Sequence, residues 1–209
     1  HAKNALFSGL AQAVFPLLTF ISMPIFIRKL GAEQFGIWML VNSVIGFGDL
    51  LNFGLTDATI KYVSKYRVLN DLSGVIRIIR SSMTFYLLLA FIGAGLIWMC
   101  AGPITRGIIK DGNHDAALTE AVIRLASLGL IARFLSSIAD SVLFGYERFD
   151  WAAQINIITS ASITLLNIVQ ALQGGSLYGM IGAVILLTLL SGAFKLVIVN
   201  LRLIPSMDW

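Results

Sequence analysis

A chain of 209 residues could form one or two water-soluble domains, but 57% of it is hydrophobic, 12% is charged and its mean hydropathy is +0.86. About a quarter of an average soluble protein is charged, so this chain has too few charges to cover a surface in water, which excludes disorder and soluble enzyme folds. The net charge of +4 does not point to nucleic acid in so apolar a chain; it matters through where the cations fall relative to the hydrophobic runs.

A bilayer core of about 30 Å takes about 20 residues of helix. Six runs near that length follow one another: Leu6–Ile27, Phe35–Ile60, Met83–Ala101, Leu118–Gly145, Trp151–Leu172 and Tyr178–Leu201. The fold class is therefore all-α, a polytopic membrane bundle of about six transmembrane helices. In the first run Pro16 and Pro24 each remove a backbone donor, which predicts a kinked or hinged helix. In the second, Gly46, Gly48 and Gly54 suit close helix packing. Between the second and third runs, 61–82 is basic, and Val75, Ile76, Ile78 and Ile79 beside Arg77 and Arg80 suit a short helix lying at the headgroups, the alternative being a plain loop. The third run carries no charge at all. The fifth carries Asn156, Thr159, Ser160, Ser162, Thr164 and Asn167, polar groups that can bond between helices.

Alternating spans make the loop cations a measure of orientation. With the N-terminus inside, Lys3, Lys61, Lys65, Arg67, Arg77, Arg80, Arg148, Lys195 and Arg202 fall in or beside cytoplasmic segments, against Arg28, Lys29, Arg106 and Lys110 outside. Nine against four places both ends of the segment in the cytoplasm of a cell membrane. The chain opens on His1 rather than Met, so the natural start is expected to precede it.

Charges inside spans are costly, about 2.5–3.5 kcal/mol each at the centre on insertion scales, so they mark cavities or pairs. Counting from the run ends puts Asp49 and Arg133 at the same mid-membrane depth on two helices of the same direction. They are candidate cavity residues, paired with one another or lining a hydrated space. Asn42, seven residues before Asp49, and Asp140, seven after Arg133, share their faces and join the candidate set. Asp57 with Lys61 and Glu120 with Arg124 are i,i+4 neighbours, a structural explanation for those charges.

A membrane-embedded enzyme would show a nucleophile with a base, a metal-ligand set or a phosphate loop. The sequence offers none. Cys100 is the single cysteine, His1 is terminal, and His114 lies in a Gly112-Asn113-His114-Asp115 loop. Neither catalytic residues, metal nor cofactor are expected, and nucleic acid is not an expected partner.

Specific strings sharpen this reading. Arg28-Lys29-Leu30-Gly31 is followed by Phe35-Gly36, then by Gly48-Asp49-Leu50-Leu51-Asn52-Phe53-Gly54-Leu55. Further on come Leu143-Phe144-Gly145-Tyr146-Glu147-Arg148-Phe149-Asp150 and Tyr178-Gly179. In order and spacing the chain resembles the polysaccharide-biosynthesis flippases, the O-antigen type transporters of the multidrug/oligosaccharidyl-lipid/polysaccharide exporter superfamily. Arg28, Gly31, Gly36 and Arg148 match that family's turn motifs.

The resemblance implies one six-helix, N-terminal lobe over 1–209 of a two-lobe transporter, a fragment lacking the C-terminal lobe, that works by alternating access. It also implies a polyprenyl-diphosphate-linked oligosaccharide as substrate, the bilayer as surroundings and glycan-synthesis proteins as partners. A cation-coupled multidrug exporter and a non-transporting scaffold of a glycan-synthesis complex are the alternatives. Cysteines introduced in 104–117 should react with an impermeant reagent added outside, and those in 61–82 should not. Outside labelling of 61–82 would reverse the orientation.

Overall fold

The computed structural model describes residues 2–108 and 115–203, apart from the side chains at 2–17, 19, 47, 49–53, 108 and 115, and every element among them is helical. The loop containing His114 lies outside the described residues. The first element, α1 (Ala2–Val68), is two helical limbs, 2–30 and 32–68, separated at Gly31. There φ is 80° and ψ 165°, a combination open almost only to glycine. Phe26 and Trp38 sit with ring centroids 5.1 Å apart. Twelve residues of continuous helix would separate them by about 18 Å, so the limbs fold back on each other.

The backbone stays helical through Pro16 and Pro24, and the chain turns at Gly31, within the Arg28-Lys29-Leu30-Gly31 turn string between the first two hydrophobic runs. Proline's fixed φ is itself helical, and a missing donor is tolerated in membrane helices.

A three-residue turn joins α1 to α2 (Leu72–Ile108). Asn70 takes a left-handed conformation, φ 53°. Asp71 caps α2, its Oδ1 accepting from the Gly74 N–H at 2.9 Å and the Ser73 hydroxyl at 2.6 Å. The stretch 61–82 is thus neither a loop nor a helix lying flat. It ends one long helix and starts the next. Its apolar face meets protein rather than headgroups: Val75 and Ile79 are buried with Val63, Val142, Leu143, Ala152 and Val199.

Beyond residues 109–114 come α3 (Asp115–Gly145), α4 (Phe149–Leu172) and α5 (Leu177–Ile198), which a π-helical turn, Val199–Leu203, prolongs. The α3–α4 turn uses Glu147 at φ 60°, and Ser176 caps α5. Among the described residues four helical stretches, Leu72–Gly107, Ala116–Gly145, Phe149–Leu172 and Leu177–Leu203, are long and apolar enough to cross a membrane. The two limbs of α1 contain the first two hydrophobic runs. The chain is a multi-pass, all-helical membrane protein.

α3 is the central post. In its spanning window 56% of residues are buried, against 11% in α4. Val122, Ile123, Ala126 and Ala132 pack on Ile37 and Val41 of α1, Ala101 of α2, and Leu177, Ile181 and Ile185 of α5. Leu130, Phe134 and Ile138 pack on Tyr86 and Ala90 of α2. Phe26 of the first limb meets Ala171 of α4 and Met180 of α5.

Two measurements follow from these turns. A Cβ on Gly31 meets nothing within 4 Å, so Gly31→Ala should lower stability through backbone strain alone, by about 1–3 kcal/mol, visible as a lower unfolding midpoint in detergent. Asp71 is held below its ordinary carboxylate value, first by the Ser73 hydroxyl and then by the Gly74 N–H. A depressed folded value means that the cap contributes fully above the ordinary carboxylate range and is lost as pH falls through the lowered value. The Gly74 amide NMR shift should titrate in that acid range and stay flat in Asp71→Asn.

Candidate functional site

The polar centre of the bundle is built where α3, α4 and α5 meet. Gly192 of α5 lies so close to α3 that a Cβ there would stand 3.2 Å from the Ser136 Cα. That approach carries Lys195, three residues later on the same face, directly onto α3. Lys195 has no exposed surface. Its Nζ donates to Ser136 Oγ at 3.0 Å, to Asp140 at 2.8 Å (Oδ1) and 2.9 Å (Oδ2), and to Asn156 Oδ1 at 2.7 Å. Asn156 Nδ2 in turn points at Asp140 Oδ1, 3.4 Å away.

The spacing explains the convergence. Ser136 and Asp140 are one turn apart on α3, Asn156 projects from the first half of α4, and Lys195 comes from α5. An ammonium removed from water and left unpaired is strongly unfavourable; here every N–H has an oxygen and the carboxylate balances the charge. Asp140 keeps 20% of its side chain exposed, so the cluster is closed on the lysine side and open on the carboxylate side.

Lys195 corrects the sequence reading, which counted it with the cytoplasmic cations. It lies inside α5, about one turn before the helix gives way at Val199–Leu203, and the tally becomes eight against four.

Of the other candidates, Asp140 is in the cluster. Arg133, seven residues earlier on nearly the same face of α3, holds an exposed position, and its carbonyl accepts from Ser137 at 3.0 Å. Asp49 lies on the second limb of α1 and its side chain is outside the described residues. Asn42 donates to the Trp38 carbonyl at 2.8 Å, within its own helix. Arg28 and Gly36 are exposed near the Gly31 break, and Arg148 stacks on Trp151 with its guanidinium carbon 4.6 Å from the ring centroid. The structure therefore joins Asp140 to Lys195, Asn156 and Ser136, and sets Asn42, Arg28, Gly31, Gly36 and Arg148 elsewhere.

The expected i,i+4 pairs divide. Arg124 donates through Nη2 to Glu120 and stands over Trp98, 5.5 Å from its centroid. No ion pair links Asp57 to Lys61; Lys61 Nζ instead lies 5.9 Å from the Tyr62 centroid. No three His, Cys, Asp or Glu side chains gather to hold a metal among the described residues.

A second polar layer ties α1, α2 and α3. The fully buried Tyr86 hydroxyl is 3.0 Å from Thr56 Oγ1 and 3.2 Å from Ser141 Oγ, and Thr59 donates to Ser82 at 2.9 Å. Beside the cluster, α4 and α5 part to leave a recess of about 240 Å³ between Ile155, Ile158, Leu187, Leu190 and Phe194, with Ser191 on its wall.

A profile of the family described as "Polysaccharide biosynthesis protein" matches residues 1–207. A Shigella flexneri protein named "Putative O-antigen transporter" is 22% identical over 147 residues, which is 70% of this chain and 34% of that protein, so the match spans about a third of the relative's length. No solved structure matches the chain.

Lys195→Met strands the Asp140 carboxylate and should destabilise the bundle by about 3–5 kcal/mol, whereas Lys195→Met with Asp140→Asn should recover most of that loss, because the buried charge goes with its partner. Chemical unfolding in a fixed detergent measures both. Additive losses in the double variant would show that the two groups are not coupled.

Proposed function

Because the chain belongs to the polysaccharide biosynthesis protein family, we propose that it forms one lobe of a transporter that moves a polyprenyl-diphosphate-linked oligosaccharide from the cytoplasmic to the outer leaflet of the cell membrane by alternating access. The observation that carries this reading is the family match along 1–207 of a chain built from membrane-crossing helices. The name of the Shigella flexneri relative supports transport rather than bond-making. That relative is about three times as long as the stretch it shares, which leaves room in it for a second lobe of equal size.

The site residues take their roles from this reading. A lipid-linked diphosphate needs cations to balance it at membrane depth, and Arg133 on the accessible face of α3 supplies one that cannot discard its charge. Asp49 is its partner when the cavity holds no anion, and Asp140 continues the polar stripe toward Lys195. Substrate and Asp49 then compete for one guanidinium, which is how an empty cavity stays neutral. The eight-to-four excess of cations supports cytoplasmic ends for the segment.

Outer-leaflet glycan display in cells carrying the full-length protein tests the assignment. At matched expression, Arg133→Ala and Asp49→Ala should each lower display at least tenfold, and exchanging the two residues should restore part of it. Wild-type display in both single variants would remove these residues from the cavity.

A further inference from the structure

Asp140, Asn156 and Ser136 are all acceptors, and all belong to α3 and α4, whereas the only cation among them comes from α5. Asn156 is oriented for this: by turning its Nδ2 toward Asp140 Oδ1 it leaves its own Oδ1 facing the ammonium. Ser136 and Asp140 are fixed relative to each other by one turn of α3. The acceptor set is thus assembled without Lys195, and the lysine enters it as a guest at 2.7–3.0 Å. Its three N–H groups match three acceptor residues, the hydrogen-bonding capacity of a primary ammonium.

We propose that Ser136, Asp140 and Asn156 form a binding site for a small ammonium cation, and that the chain fills it with its own Lys195. The site works as a latch. With Lys195 in place α5 is tied to α3 and α4, and a free cation that took the position would satisfy Asp140 while leaving α5 untied. The 20% exposure of Asp140 gives such a cation a side from which to approach. The inference rests on cluster geometry and not on the transport reading, so either can fail without the other.

Lys195→Ala opens the site and leaves the space of the lysine stem. In detergent at constant ionic strength, methylammonium or ethylammonium should raise the unfolding midpoint of this variant by several degrees. Tetramethylammonium, of equal charge but without N–H donors, should not, and a potassium arm separates bare charge from hydrogen-bonding ammonium. Wild type, whose site is full, and Lys195→Ala with Asp140→Asn, whose site has lost its charge, should not respond. An equal rise with tetramethylammonium or potassium, an equal rise in the double variant, or no rise in Lys195→Ala would overturn the proposal.

Should Lys195→Ala fail to fold, the wild-type protein carrying ¹⁵N-labelled lysine decides. One side-chain ammonium signal should survive with slow proton exchange, and the signal should be absent from a Lys195→Met, Asp140→Asn protein. No slowly exchanging ammonium in wild type would refute a caged Lys195.

Discussion

A fully buried ammonium has no water to turn to, and the whole of its solvation must come from the chain. In this bundle Lys195 finds it in three side chains on two other helices. That requirement dictates much around it. Gly192 must be small so that α5 can approach Ser136, Asp140 must face α5, and α4 must bring Asn156 to the same level. A salt bridge of this kind is not an efficient source of stability, because desolvation consumes much of the attraction. Its effect is selectivity: an arrangement of α3, α4 and α5 that separates the partners leaves a bare charge in an apolar medium, so few alternatives compete.

The remaining polar groups follow the same economy. Hydroxyls tie α1, α2 and α3 through Thr56, Tyr86 and Ser141, bonds that need no charge and cost little to bury when paired. Elsewhere the helices turn apolar side chains outward, as with Phe91 and Met99 of α2, Leu165 of α4 and Leu186 of α5, which is the natural outer surface for a protein surrounded by lipid. Four cations beside aromatic rings collect near one end, Lys61 by Tyr62, Lys65 by Tyr66, Arg67 by Tyr146 and Arg148 by Trp151, while Arg124 over Trp98 lies toward the other. Such pairs suit the headgroup boundary, where a ring can sit half in hydrocarbon and a cation in water.

Hydrophobic run length made the helices legible because it is set by bilayer thickness, a single external constraint. The run starting at Trp151 and ending at Leu172 differs from α4 by two residues at its start. The turn between the first two spans was legible in the Arg28-Lys29-Leu30-Gly31 string, and Gly31 takes a φ and ψ open almost only to glycine. Other readings failed locally. The 61–82 stretch reads as amphipathic whether its apolar face meets lipid or protein, and periodicity alone cannot tell these apart. Asp140 was legible as a charge within a span, whereas its partner was hidden by counting: a lysine six residues before the end of a run looks like a loop cation. Its depth in α5 and the nearby Gly192 were the available signals. Ser136 carried none, since a serine in a membrane helix most often bonds to its own backbone.

The central claim is that the Lys195 ammonium holds α4 and α5 in one arrangement. Distances between spin labels test it most directly, with labels at the exposed positions Ile158 of α4 and Val197 of α5 and Cys100 replaced by serine. Double electron–electron resonance on the protein in lipid nanodiscs should give one narrow distance distribution with Lys195 present and a broadened or shifted one in Lys195→Met. An identical narrow distribution in both would contradict the claim that this ion pair sets the packing of the bundle.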